Sequence, residues 1–149
     1  MRTDNRLPRV LHALLHLDGM DGPATSEQIG KMLGTNAAVV RRTMAGLRQA
    51  QLVSSAKGHG GGWFLTKPLD EISLLAVYQA LGSPSLFAVG VGEAAPTCLM
   101  EQAANRATTK ALGAAEALFA EELQAVSVAD LANSFREYQA SGGKEIQCG

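Results

Sequence analysis

Long apolar runs are missing from this sequence. No stretch approaches the roughly 20 apolar residues of a membrane-spanning helix, so no membrane partner is expected. Export is not expected either. Arg2, Asp4, Arg6 and Arg9 stand where a signal peptide would place its apolar segment. Cysteine is scarce: Cys98 and Cys148 are too few for a disulfide scaffold. The expectation is a cytoplasmic protein whose thiols stay reduced. No nucleophile–base pair or ligand cluster stands at catalytic spacing, which leaves an enzymatic reading without support.

An excess of one charge is also lacking, but only in the total. The net charge of -1 hides nine Lys and Arg against four Asp and Glu in residues 1–67, and four against ten in residues 68–149. A basic first half beside an acidic second half implies that the first meets a polyanion. A pI near 6.3 would otherwise argue against nucleic acid. The length of 149 residues suits one compact domain or a small domain with an extension.

What is present centres on residues 25–65, which read as two short helices, a tight turn and a glycine-rich hairpin. A helix precedes them. Asn5 is its expected N-cap, Pro8 falls in its first turn, and Leu7, Val10, Leu11 and Leu14 form its buried stripe. Residues 19–23 break it. Thr25 with Gln28 is a capping-box pattern for the second helix, whose apolar face is Ile29, Met32 and Leu33. Gly34 closes it, and Asn36 caps the third helix, residues 37–49. Helix, turn and helix at this spacing is the DNA-binding supersecondary pattern.

On the third helix Val40, Met44 and Leu47 share one face. Ala38, Arg42, Ala45 and Gln49 lie opposite, with Arg41 and Arg48 on the flank. Small residues mixed with arginine suit a helix in a major groove, although surface arginines are common on solvated helices. Residues 52–55 and 63–65 read as two strands. The tip between them, Lys57, Gly58, His59, Gly60, Gly61 and Gly62, can approach a sugar–phosphate backbone closely, with Lys57 on phosphate. A loose hairpin loop is the plainer alternative.

Ser73 caps a helix with Leu74, Val77, Tyr78 and Leu81 on one face. Residues 90–95 match the dinucleotide fingerprint formally, but Pro96 interrupts the helix it needs and no βαβ unit follows. A long helix is expected over residues 98–126. Met100, Ala104, Ala107, Ala111, Ala114 and Leu118 make a seam of small and apolar residues, so a homodimer through the region from Met100 to Val126 is expected. Ser127 with Asp130 caps a last helix, with Val128, Leu131, Phe135 and Tyr138 facing inward. Residues 141–149 read as a disordered tail. The division is therefore a DNA-binding unit over residues 1–67, linker and dimerisation helices over 68–140, and the tail. The fold class is mainly α with a small β-hairpin wing: a winged helix-turn-helix with a long C-terminal dimerisation helix.

Residues 36–47 (NAAVVRRTMAGL), Leu52, Val53 and Ser55 with the glycine-rich tip to Gly62, residues 72–78 (ISLLAVY), and residues 86–89 on to Cys98 together resemble the Rrf-two family of bacterial winged-helix regulators, in its YwnA-like branch. The resemblance implies a dimeric transcription factor that binds double-stranded DNA. By matching position Ser26, Asn36, Arg41, Arg42 and the wing, Lys57, Gly58, His59, Gly60 and Gly61 included, would meet DNA, and the flank residue Arg48 joins that candidate set. Better-known members hold an iron–sulfur cluster through three cysteines before and at the start of the long helix. Here only Cys98 lies in that region, so no cofactor is expected.

With Thr97 as N-cap, Cys98 would open the long helix, where the dipole favours a thiolate. It is a candidate redox switch, with a packed buried cysteine as the alternative. Cys148 is a weaker candidate for a resolving thiol. His12 and His16 stand at i, i+4, a spacing able to hold zinc, but no further ligand joins them and they read as ordinary surface histidines. The function expected is a homodimeric DNA-binding repressor. The rival is a winged-helix module that docks proteins instead of DNA.

Overall fold

The computed structural model describes residues 3–92 and 96–142. Six helices and one hairpin follow in the order α1 (Arg6–Asp18), α2 (Ser26–Leu33), α3 (Ala37–Gln49), β1 (Val53–Ala56), β2 (Gly62–Leu65), α4 (Leu74–Ala80), α5 (Leu99–Gln124) and α6 (Val128–Ala140), with a 3-10 turn at Leu69–Glu71. The fold is a winged helix-turn-helix carrying a long C-terminal helix.

The helix starts follow local chemistry. The Thr25 hydroxyl accepts the Gln28 N–H at 3.1 Å while the Gln28 side chain accepts the Thr25 N–H at 2.8 Å, a complete capping box. Asn36 Oδ1 accepts the Val39 N–H at 3.0 Å, and Ser73 and Ser127 cap α4 and α6 in the same way. Each such cap contributes on the order of 1 kcal/mol. The first helix departs from expectation. Asn5 makes no cap hydrogen bond. Asp4 takes over, accepting the Arg6 N–H at 3.0 Å and pairing with its guanidinium.

Gly34, at φ 61, closes α2 and turns the chain into α3. Val40, Met44 and Leu47 then face the core, joined there by Leu14, Ile29 and Val53. Burial of each large side chain stabilises the fold by roughly 1.5–3 kcal/mol. The strands pair antiparallel, Val53 opposite Leu65 and Ala56 opposite Gly62. A third segment holds the hairpin: the Ala24 N–H donates to the Trp63 carbonyl at 2.9 Å, and the Trp63 N–H donates back at 2.8 Å.

The core does not break at residue 67. Ile72, Val77, Leu81 and Val128 belong to the same buried cluster as Val10 and Leu47. Backbone bonds from Leu74 to Val126 and from Val128 to Ile72 bring the starts of α4 and α6 together. Two expected inward residues of α6 face solvent instead, Phe135 and Tyr138, each 58% exposed. Only the first turns of α6, with Val128 and Leu131, are tucked against the core. Of the expected tail, residues 143–149, Cys148 among them, lie outside the described residues.

Candidate DNA interface

The candidate residues sit on three features: the solvent face of α3, the start of α2 and the hairpin tip. On α3 the inward stripe forces Ala38, Arg41, Arg42, Arg48 and Gln49 outward, and all five are exposed. Arg42 makes no ion pair among the described residues. Arg41 NH1 lies 3.6 Å from Glu27 Oε1 across the turn, with both side chains more than half exposed. Such a solvated pair is worth little, so Arg41 can leave it at small cost.

Arg48 is oriented differently. Its guanidinium lies over the Trp63 ring at 5.7 Å and donates to Ser55 Oγ at 3.4 Å, so it braces α3 against the wing. Ser26 is turned inward. Its side chain belongs to a residue only 8% exposed, and Oγ accepts the Trp63 indole N–H at 3.0 Å. The Ser26 hydroxyl is therefore part of the wing anchor and is not presented outward. Asn36 is exposed, and its side-chain oxygen is engaged in capping α3.

At the wing, Lys57, Gly58, His59 and Gly60 are exposed. Gly58 and Gly60 take φ 90 and 76, which folds the tip tightly. Gly61 is half-buried, and its N–H donates to the Gly58 carbonyl at 3.1 Å, so it closes the turn from behind. Sequence reasoning missed the Glu27–Arg41 pair and the stacking of Arg48 on Trp63. Neither carries a local signal, because both depend on how separate elements cross.

Cys98 is the N-cap of α5 and not its first residue. The thiol is exposed, and no cap hydrogen bond closes on it. The nearby backbone N–H groups of Glu101 and Met100 still hold its pKa below the ordinary thiol value. His12 and His16 turn their Nε2 atoms to 2.8 Å of each other. Burial, then the neighbouring His16, pushes the His12 pKa down. Among the described residues no three His, Cys, Asp or Glu side chains come together to hold a metal. Gly90 and Gly92 lie in chain without regular structure, and no strand precedes them as a dinucleotide fingerprint requires; residues 93–95 fall outside the described residues. No described helix is long and apolar enough to cross a membrane.

Residues 3–134 match the family model Rrf2, described as iron-dependent transcriptional regulator. A protein of Bacillus subtilis (strain 168) named as an HTH-type transcriptional regulator, YwnA, is 32% identical over 131 residues, covering 87% of this chain and 96% of that one. A solved structure described as a DNA-binding protein is 28% identical, with TM-score 0.70 over 86% of this chain and 99% of the other. IscR of T. potens shares the fold, with TM-score 0.67 and 18% identity over 93% and 91% of the two chains. As to the iron in the family's description, Cys98 is the one cysteine of the described residues, and among those residues no three His, Cys, Asp or Glu side chains come together around it. With its winged helix-turn-helix, its arginine-bearing third helix and a match spanning most of its length, the chain belongs to the Rrf2 family of transcriptional regulators.

Proposed function

We propose that the protein is a homodimeric repressor that sets one α3 from each protomer into successive major grooves, with the wings on the flanking backbone. The observation that carries this reading is the outer face of α3. There Arg42 is free of ion pairs among the described residues and Arg41 is held only by an exposed carboxylate. Ala38 beside them permits close approach to base edges, and Lys57 and His59 on the wing supply backbone contacts. Arg48 and Ser26 act from behind by fixing the wing.

Dimerisation is supported by α5. None of its residues is buried within its own chain, and the stripe from Met100, 82% exposed, to Leu118, 59% exposed, is uncovered. Two such stripes pairing through their alanines would set the distance between the heads. Cys98 begins this helix, exposed and with its thiolate favoured. Oxidation of Cys98 would act on the dimer element directly, without a bound metal or cluster.

The test is fluorescence anisotropy on the DNA upstream of the protein's own gene. Arg42→Ala is expected to weaken binding by about 1–3 kcal/mol, and Lys57→Ala to lower the salt slope by about 1. Oxidation should release wild-type protein but not Cys98→Ser. Binding no tighter than to random DNA, and indifferent to Arg42→Ala, would favour a protein-docking module. Oxidant sensitivity that survives in Cys98→Ser would remove the thiol switch alone.

A further inference from the structure

Behind the DNA-facing head lies a cleft of about 270 Å3 that the proposed function leaves unused. Its walls are α4, the residues 83–86 that follow it, and α5. Tyr78 and Phe119 meet edge to face there, with centroids 5.3 Å apart at 76°. The Tyr78 hydroxyl donates to the Pro84 carbonyl and ties the loop back onto α4. Glu116 is the one charged side chain among the described lining residues, and it makes no ion pair among the described residues. Its field reaches the aromatic pair: burial first, and then the Glu116 carboxylate, raise the Tyr78 pKa.

The loop itself is strained. Ser83 takes φ 46, directly after Gly82 at φ 85. A left-handed non-glycine residue persists only where its surroundings hold it, and such strain gathers at ligand clamps and switches.

The cleft is not the dimer seam. At about 100° per residue, Glu116, Phe119 and Ala120 fall roughly 100–200° around α5 from the line through Met100, Ala111 and Leu118. Pairing along that line leaves the cleft open. The cleft is also mechanically close to the DNA-reading helix. A Cβ on Gly46 of α3 would stand 2.8 Å from the Ala80 carbonyl, so α3 and the end of α4 meet backbone to backbone two residues beyond Tyr78.

We propose that this cleft binds a small organic cation with a compact apolar body, its charge between Glu116 and the rings of Tyr78 and Phe119. A carboxylate that is the one charge among the described lining residues, beside two aromatic rings and with Leu75 and Leu86 supplying apolar wall, is the chemistry that selects a substituted ammonium over an anion or a neutral solute. The volume sits just below the ordinary range of ligand pockets, which admits a choline-sized molecule and excludes a drug-sized one. The site deepens the regulator reading by naming a class of signal, and rests on that reading for its consequence but not for binding itself.

The experiment titrates the full chain, by calorimetry, with choline and with its uncharged carbon isostere 3,3-dimethylbutan-1-ol. The expected result is saturable binding of one choline per chain, at least tenfold weaker for the isostere and at least tenfold weaker in Glu116→Gln. That exposed substitution leaves the fold intact by circular dichroism, and Phe119→Ala serves as a second variant. No saturable binding, equal binding of the isostere, or undiminished binding in Glu116→Gln overturns the proposal. Choline added to the DNA titration should change wild-type affinity severalfold and leave Glu116→Gln unmoved. Choline binding with no change in DNA affinity overturns the signalling role. Choline binding by a protein that holds no DNA at all supports the site and overturns the regulator reading.

Discussion

Replacing Gly62 with alanine should dislodge the wing, and the size of the effect can be worked from backbone geometry. Gly62 sits at φ 149, and a Cβ there would lie 2.5 Å from the Ala24 carbonyl oxygen, 2.6 Å from its carbon and 3.0 Å from the Thr25 nitrogen. All three are backbone atoms, so no side chain can swing aside. The pair Ala24–Trp63 must separate, which removes two backbone hydrogen bonds of 2.9 and 2.8 Å. At about 0.5–1.5 kcal/mol each, that loss is roughly 1–3 kcal/mol. The unfavourable φ adds about 1–3 kcal/mol more. A total of about 2–6 kcal/mol is large against a fold stability of about 5–15 kcal/mol. Urea unfolding followed by Trp63 fluorescence reads it as a fall in midpoint with little change in slope. Gly22→Ala is the control, since nothing stands within 4 Å of its Cβ position and its φ is not positive. It should stay within about 0.5 kcal/mol of wild type. A loss below about 1 kcal/mol for Gly62→Ala would refute the anchoring role given to the Ala24–Trp63 contact.

Three further outcomes follow from the same structure. Trp63→Phe keeps the buried ring but removes the donor to Ser26 Oγ, and should cost about 1–3 kcal/mol in the same urea assay. Gly113→Ala, at an open position inside α5, should stabilise the chain by about 1 kcal/mol and raise the thermal midpoint, because alanine favours the helix. Acid should weaken the start of α6. The Asp130 carboxyl is held below its ordinary 3.8 by the Ser127 N–H, then by the Ser127 hydroxyl. Its folded pKa is the lower one, so its stabilisation is present above 3.8 and is lost as pH falls through the folded value. Stability curves of wild type and Asp130→Asn should therefore converge below pH 3.8, and curves that stay parallel would count against the capping box.

What the sequence reveals and what it hides divides along a physical line. Chemistry confined to one turn was legible at most helix ends, though not at Asn5, where Asp4 accepts the Arg6 N–H instead, nor at Thr97, which stands one residue before the true N-cap. Thr25 with Gln28, Ser127 with Asp130, Asn36 and Gly34 each act within a few residues, and each performs the role its spacing implies. The inward stripe of α3 was legible for the same reason, since 3.6-residue periodicity needs no partner to be read. Contacts between elements were not. The resemblance places Ser26 among the expected DNA contacts, and its hydroxyl also accepts the indole N–H of Trp63, 37 residues away. Arg48 carries the same charge as Arg42, yet Trp63 draws it onto the wing. Phe135 and Tyr138 continue the apolar period of α6, but periodicity cannot say where the covering surface ends. Here it ends after the turn that packs on Leu69–Glu71 and on α1.

The uncovered aromatics of α6 and the uncovered stripe of α5 then have one reading in common. Both lie in the acidic residues 68–149, whereas α3 and the wing lie in the basic residues 1–67, so the apolar surface that one chain leaves bare belongs to the half whose charge is opposite to that of the candidate DNA interface. On the proposed reading, segregated charge would draw DNA to the basic half and leave the acidic half to pair with a second copy and, through the cleft beside Glu116, to accept a cation.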